Sequence, residues 1–458
     1  MMPALKHLVL SLTLPLSISL SAQTFETASE AVSNMGIGWN LGNTLESNSG
    51  DTTNMWIEQW TARTPSDYEN AWGQRPVTRE LIHMMEEAGF RAIRVPVSWY
   101  PHMGITLSAQ CLWKPSEWQP TTVDSVWMER VAEVVGYVLD EGLYCILNVH
   151  HDTGAANTAW LRASGRGYAA AEETFRQLWT QIATRFRDAD EHLIFEAYNE
   201  MLDDYSSWCF ASFAAPGNYN ATAAADTYQA INQYAATFVE TVRATGGNNA
   251  QRNLMINTYG ACSAHGTWSS HLAVPLTQLI LPTDPFGTQE HLMVSVHAYP
   301  SLRNNNAFIS RTQMEQQNQQ QIQVIVNQLQ QAKQVPVVIG EWGSSEGTDY
   351  NDNRQLYLQF VQDFTTRALA AGLCPMYWMG ISDGEDRAVP AITQPDVLQA
   401  MFASTAVDNT PSAPQAQRIF TNGQILILRN GALYTLTGIR INKLPASGPG
   451  TPEAHLEQ

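Results

Sequence analysis

Eight short apolar runs punctuate the chain, at 36–41, 92–97, 144–149, 193–198, 254–257, 293–297, 335–339 and 375–379. Each is too short for a helix and too uniformly apolar for a strand with one wet face, so they predict strands of a parallel sheet covered on both sides. Most are separated by stretches with apolar positions at helical spacing, at 79–87, 126–139, 172–187, 228–243, 312–333 and 355–371. Strand and helix alternating eight times predict an α/β fold of the (β/α)8 TIM-barrel type. The fifth unit is the weak one, because 260–285 has little helical periodicity and reads as mostly loop. An open doubly wound sheet also alternates, but it usually carries a glycine-rich phosphate turn after its first strand. Here the first run continues into Gly38-Trp39-Asn40-Leu41-Gly42-Asn43-Thr44, whose Trp and Asn would obstruct a pyrophosphate. Long inserts at 46–72, 101–124 and 203–225 follow strands, so their aromatic residues are expected to rise around the face where the strands end.

The ends of the chain have a different character. Lys6 and His7 precede an apolar stretch at 8–20 and the small residues Ser19, Ser21 and Ala22, the pattern of a signal peptide spanning 1–22. It predicts a secreted or cell-surface protein, cleaved near residue 22, and no later run is long and apolar enough for a transmembrane segment. Residues 23–408 then form the barrel domain. The stretch 409–418 reads as a Pro-rich linker, and 419–458 as a short β-rich tail of two or three strands turning at Asn422-Gly423 and Asn430-Gly431. Two or three strands are too few to be stable alone. This tail resembles the C-terminal sorting or anchoring segments of secreted Bacteroidetes proteins.

With 458 residues, 44% of them apolar, the chain can build one large core, and a monomer is the economical expectation. A formal charge of −18 opposes binding to nucleic acid and favours a neutral partner. Five cysteines with no Cys-x-x-Cys exclude a zinc ribbon or redox motif. Cys145 and Cys374 fall within strands as small apolar residues, while one bridge among Cys111, Cys209 and Cys262 is left open.

Two phrases carry chemistry: Tyr198-Asn199-Glu200-Met201 and Ile339-Gly340-Glu341-Trp342-Gly343. Each places a glutamate after an apolar run, hence at the carboxyl end of a barrel strand, where barrels keep their active sites. Two carboxyl groups on one face are the minimum equipment for cleaving a glycosidic bond. A single strand-end glutamate is more often an ion-pair partner or a cap, but several such residues at strand ends need one common explanation. The others are Arg94 in Ile93-Arg94-Val95-Pro96, His150 in Asn148-Val149-His150-His151-Asp152, His297 and Tyr299 in Val296-His297-Ala298-Tyr299-Pro300, and Trp378. Consecutive His150, His151 and Asp152 suggest a metal, yet neighbours on a strand point to opposite faces and no His-Glu-x-x-His pair occurs. No metal and no cofactor is therefore expected, and His151 reads as a packing residue or a weaker sugar contact. Asp203 and Asp204, just past Glu200, could touch substrate or simply be solvated.

This set, in this order, resembles glycoside hydrolase family 5 of clan A, and within it the cellulase-type endoglucanases, over about residues 34 to 405. The resemblance implies that Glu200 is the general acid/base and Glu341 the nucleophile, with Arg94 and Tyr299 contacting the nucleophile. It also implies that Asn199 bonds the sugar 2-hydroxyl, that His150 and His297 orient sugar and catalytic groups, and that Trp378 stacks on a pyranose. Asn40 and Asn43 are weaker candidates for sugar contacts. Glu341 must then stay ionised to attack the anomeric carbon. Glu200 must begin with a proton, favoured by burial beside a second carboxylate, and release it once Glu341 is neutralised in the glycosyl-enzyme. The implied activity is retaining endo-β-1,4-glucan hydrolysis with the two carboxyl groups about 5–5.5 Å apart. Xyloglucan, mixed-linkage glucan, mannan or xylan are the alternative substrates, and a non-catalytic glycan-binding barrel the alternative class. An intracellular barrel acting on phosphorylated metabolites lacks its glycine-rich phosphate site here and is opposed by the leader.

Overall fold

The computed structural model describes residues 25–217 and 219–403 and four strand segments beyond them; the proposed leader and residues 409–416 of the linker lie outside the described residues. The eight apolar runs form eight parallel strands: β1 (Gly38–Asn40), β2 (Ala92–Val95), β3 (Tyr144–Asn148), β4 (Leu193–Glu196), β5 (Leu254–Cys262), β6 (Leu292–Ala298), β7 (Val337–Trp342) and β8 (Cys374–Tyr377). They pair in sequence order, and β8 closes on β1 through Gly38↔Met376, making a (β/α)8 barrel. Every strand between β1 and β8 is buried along its length, apart from the last residue of β5, as its unbroken apolar character requires.

The helices follow from equally local causes. Helix α1 (Ala28–Met35) starts at a reciprocal cap in which Thr27 accepts from the Glu30 amide and Glu30 accepts from the Thr27 amide. Its buried face of Ala28, Ala31, Val32 and Met35 packs with Ile146, Ile194, Met255, Met293, Val338 and Met376, plugging the amino-terminal end of the barrel. The outer layer comprises α2 (Arg79–Glu87), α3 (Ser125–Asp140), α4 (Gly165–Arg185), α5 (Ala221–Ala244), the single-turn α6 (Val274–Thr277), α7 (Arg311–Ile325), α8 (Arg354–Ala370) and α9 (Pro395–Phe402). The fifth crossover is mostly loop, with α6 and a short 3-10 turn at Gln289–His291 as its helical pieces among the described residues. The carboxyl ends of the strands lie at the opposite end of the barrel.

Two expectations need correction here. Strand β7 runs to Trp342 rather than 339, so Glu341 lies within the strand, paired in register with His297. The aromatic residues of the 101–124 insert do not rise around the open face. Trp113 is buried with Met55, Tyr100 and Ile105 in a second small core, and Trp118 and Trp160 pack against it. All five cysteines are free thiols, so no bridge joins Cys111, Cys209 and Cys262.

The chain divides into two units between Met401 and Phe402. In the second, four strands at Gln417–Thr421, Gln424–Arg429, Ala432–Thr435 and Arg440–Ile441 pair antiparallel in that order, rather than two or three. The first begins inside the stretch read as linker. Among the described residues no helix is long and apolar enough to cross a membrane.

Candidate active site

At the carboxyl ends of the strands one buried cation organises everything near it. Arg94 on β2 points into the barrel and is fully buried. Its Nη1 donates to Glu341 Oε1 at 2.7 Å and to Asn40 Oδ1 at 3.0 Å, and its Nη2 to Asn199 Oδ1 at 2.8 Å. Its Nε and Nη2 grip Glu196 at 2.6 and 3.3 Å. These contacts use the whole donor set of the planar guanidinium, which a lysine could not reproduce.

Glu341 is the more enclosed of the two strand-end acids, its side chain 6% exposed against 23% for Glu200. Besides Arg94 it accepts from Tyr299 Oη at 2.8 Å. Burial raises its carboxyl above the ordinary value, the charges of His297 and Arg94 oppose that rise, and Glu200 adds to it. The expected burial thus falls on Glu341 and not on Glu200, which faces the open end. Only His297 holds Glu200 by a hydrogen bond among the described residues, at 2.9 Å from Nδ1 to Oε1.

His297 stands between the acids, its Nδ1 also 3.5 Å from Glu341 Oε2. Burial alone would lower its pKa, but the Glu341 charge and the bond to Glu200 outweigh burial and raise it. One donor atom from each of Glu200, His297 and Glu341 lies within 4.8 Å of the others, a spacing that could hold a cation. The Arg94 guanidinium against Glu341 already supplies positive charge there and would repel one. A second such cluster, His83, Glu86 and Glu141, lies outside the barrel among surface ion pairs.

Close packing sets the phrase around Glu341. A Cβ on Gly340 would come within 2.4 Å of Ser295 Oγ and 3.3 Å of His297 Nε2, so only glycine lets β7 lie against β6 here. Next along the strand, Trp342 points outward and stacks on Phe364 of α8 with ring centroids 4.8 Å apart. Alternation therefore sends the acid inward and its aromatic neighbour into the helix layer.

His150 is buried, takes a hydrogen bond at Nδ1 from the Asn148 amide at 2.9 Å, and lies 3.9 Å through Nε2 from Glu341 Oε1. Burial holds it well below the ordinary histidine range, so it is neutral with its proton on Nε2. Its ring is parallel to Trp378, 6.0 Å away, and together the two form one wall. His151 also turns to this side, 4.5 Å from His150 and 5.2 Å from Trp72. The expected alternation fails because β3 ends at Asn148, and the turn beyond it carries both rings the same way. Burial pushes His151 down to about 4. Asp152 turns away, accepting from the Trp99 and Tyr100 amides and from Trp160 Nε1 at 2.6–2.9 Å, which removes it from any metal site with these histidines.

Asn40 is placed otherwise than expected. It is fully buried, accepts from Arg94, and donates to the Gly340, Met376 and Tyr377 carbonyls, so it positions Arg94 and is not free to meet a sugar. Asn43 sits half-buried at the rim with φ of 60°, its amide tied to Glu46. Glu46 itself is buried and pushed up to about 7 by desolvation. Asp203 is buried and structural, while Asp204 pairs with Arg166 at the surface.

Sequence reasoning missed Glu196. It is the last residue of β4, four before Glu200, fully buried and held by Arg94 and by Asn257 Nδ2 at 2.8 Å. The signal was present: a charge inside the apolar run Leu193-Ile194-Phe195-Glu196-Ala197-Tyr198 must find a partner in the core.

Residues 51–378 match the family Cellulase (glycosyl hydrolase family 5). Endoglucanase B of Ruminococcus albus is 31% identical over 78% of this chain and 73% of its own length. Endoglucanase A of Paenibacillus barcinonensis is 28% identical over 82% and 90%. Among solved structures, a GH5-4 broad specificity endoglucanase from an uncultured bacterium superposes with a TM-score of 0.74 at 42% identity, covering 83% of this chain and 97% of that one. A family 5 enzyme from Prevotella bryantii, in complex with a xyloglucan tetradecasaccharide, gives 0.67 at 35% identity, covering 83% and 99%.

Proposed function

The chain belongs to glycosyl hydrolase family 5 and is a glycoside hydrolase of the cellulase type, and from that premise we propose a secreted, retaining endo-β-1,4-glucanase in which Glu341 is the nucleophile and Glu200 the acid/base. The observation that carries the mechanism is the spacing of the two acids, with one oxygen of each within 4.8 Å. Retention requires carboxyl groups about 5–5.5 Å apart, whereas inversion needs about 6.5–9.5 Å to admit a water between acid and base.

Each step has its residue. Arg94 and Tyr299 fix the Glu341 carboxylate by two donors, one per oxygen, and leave it aimed at the anomeric carbon. The proton that Glu200 delivers to the departing oxygen is held between Glu200 Oε1 and His297 Nδ1. Attack by Glu341 forms the glycosyl ester, and Glu200, now a carboxylate facing the open end, takes a proton from the incoming water. The water breaks the ester, releases Glu341 and returns the proton to the pair. Arg94 accepts nothing, so Asn199 must offer its carbonyl to Arg94, which leaves its NH2 free to donate to the sugar 2-hydroxyl. The Trp378 face, half-exposed beside His150, offers an apolar surface to pyranose C–H groups.

The substrate is proposed as β-1,4-glucan, and a second reading has its own support. Xyloglucan is the ligand of the Prevotella bryantii relative, so a branched β-glucan is a natural further substrate. The leader pattern supports export. NMR of the first product from a soluble β-glucan should show the β-anomer ahead of mutarotation. Initial α-anomer would refute retention, and release from xyloglucan against unbranched glucan, mannan and xylan would rank the substrates.

A further inference from the structure

The loops that follow β4 and β5 carry aromatic residues that the reaction does not use. Phe210 is buried at their centre, with ring centroids of Phe213 at 5.0 Å, Trp268 at 5.8 Å and His271 at 5.3 Å. Phe213 and Trp268 touch each other at 5.6 Å, and Tyr219 from the first loop stacks on His271 from the second at 3.9 Å. The outer faces stay open: Trp268 is 60% exposed and Phe213 49%. Apolar rings gathered outward on a soluble surface cost solvation and mark a binding surface.

Three observations identify what binds. First, neither 205–220 nor 262–275 contains Asp, Glu, Lys or Arg, although the chain has 43 acidic residues. An uncharged aromatic surface suits a neutral ligand whose C–H faces stack on rings. Second, the first loop is tied to the barrel by its own hydrogen bonds. Buried Asp203 accepts from the Tyr205, Ser207 and Ser212 amides at 2.7–3.1 Å, and Tyr259 of β5 donates to the Ser207 carbonyl at 2.6 Å. Preorganisation of this kind lowers the ordering cost of binding. Third, the loops continue from the strands at the acid. Glu200 lies between β4 and the first loop, and Gly260 near the end of β5 donates its amide to the Met201 carbonyl at 3.1 Å.

We infer that Trp268 and Phe213 form a holding platform for the leaving-group side of a long β-glucan chain, several sugars beyond the bond being cut. This rests on the function proposed above, since it is the acid that marks the leaving-group side. Trp378, just past β8, and Glu341, on β7, stand on the other side of the cleavage point. A chain crossing the site from Trp378 past Glu200 therefore runs out over β4 and β5. The far side of the second loop borders a groove of about 920 Å³ lined by Gln313, Gln316, Gln317 and Gln320 of α7, where uncharged amides can meet sugar hydroxyls.

The test compares a soluble β-glucan polymer with an aryl cellobioside, which is too short to reach the platform. In Phe213→Ala/Trp268→Ala the KM for polymer should rise about tenfold, the equivalent of losing roughly 50 Å² of buried apolar contact, while kcat/KM for the aryl cellobioside stays within about twofold. Trp60→Ala, also exposed but on the 46–72 insert, should match wild type on both. In gels containing the polymer, Glu341→Gln should be retarded, and the triple variant with both alanines much less. Unchanged polymer KM and unchanged retardation would overturn the platform while leaving the glucanase reading intact. Equal losses on both substrates would overturn it too, as damage to the site itself. Wild-type protein that neither cleaves nor is retarded by the polymer would overturn both.

Discussion

Arg94 couples groups that no single contact would hold together: the proposed nucleophile, the asparagine proposed to meet the sugar, and the buried Glu196. A positive charge at this depth is tolerable only because Glu196 and Glu341 share it. Glu196→Gln would give Arg94 a neutral partner with one end that repels it, loosening both Glu341 and Asn199. We expect kcat on β-glucan to fall by about 10²-fold with a smaller change in KM, since a misplacement of about 1 Å suffices for such a loss. Steady-state kinetics on the purified variant checks this. His297 sets a second expectation. Its pKa is raised, so the proton between it and Glu200 is present below that value and is lost as pH rises through it. Activity should therefore decline on the alkaline side, at a pH above the ordinary histidine value of about 6.5. His297→Gln should move that limb in a profile of kcat/KM against pH, and an unmoved limb would assign it to another group.

At the scale of elements, the amino-terminal end of the barrel depends on a residue with no part in chemistry. Arg252, just before β5, donates to the carbonyls of Phe186, Ala189, Asp190 and Leu193 and to Asn249 Oδ1, closing the turn between α4 and β4. Arg252→Met would remove five hydrogen bonds at once, leaving the Phe186, Ala189, Asp190 and Leu193 carbonyls each one partner short, and we expect it to cost about 3 kcal/mol or more in urea unfolding. The kcat of the folded fraction should hold, because the reacting groups lie at the opposite end. The eight strands were legible because a covered parallel strand must be apolar throughout, and Glu200 and Glu341 were legible because each breaks such a run at its end. Asn40 was misjudged because sequence marks a polar residue but not which of its atoms are already bonded. The facing of His151 was misjudged because alternation applies only while the strand lasts, and the end of β3 is fixed by pairing with β2 and β4. The aromatic inserts divided by partner: Trp113 found an apolar pocket, whereas Trp268 and Phe213 pack on each other and on Phe210 with their outer faces exposed. Composition cannot separate those outcomes, because both depend on how two distant loops meet.

For the whole molecule, a formal charge of −18 acts on substrates before any contact forms. A neutral glucan is indifferent to it, whereas a carboxymethylated one is repelled at low salt. Shortening the Debye length from about 30 Å at 0.01 M to about 8 Å at 0.15 M should lower KM on carboxymethylcellulose several-fold and leave KM on neutral β-glucan unchanged. Salt dependence on both substrates would point instead to a charged contact inside the cleft. The proposed mechanism depends on a covalent intermediate at one named carboxylate. Incubation with an activated 2-deoxy-2-fluoro-cellobioside, followed by intact mass and peptide mapping, tests for it. One equivalent of glycosyl ester is expected on the peptide carrying Glu341. Label on Glu200, or none from an enzyme that turns over the parent glycoside, would contradict it.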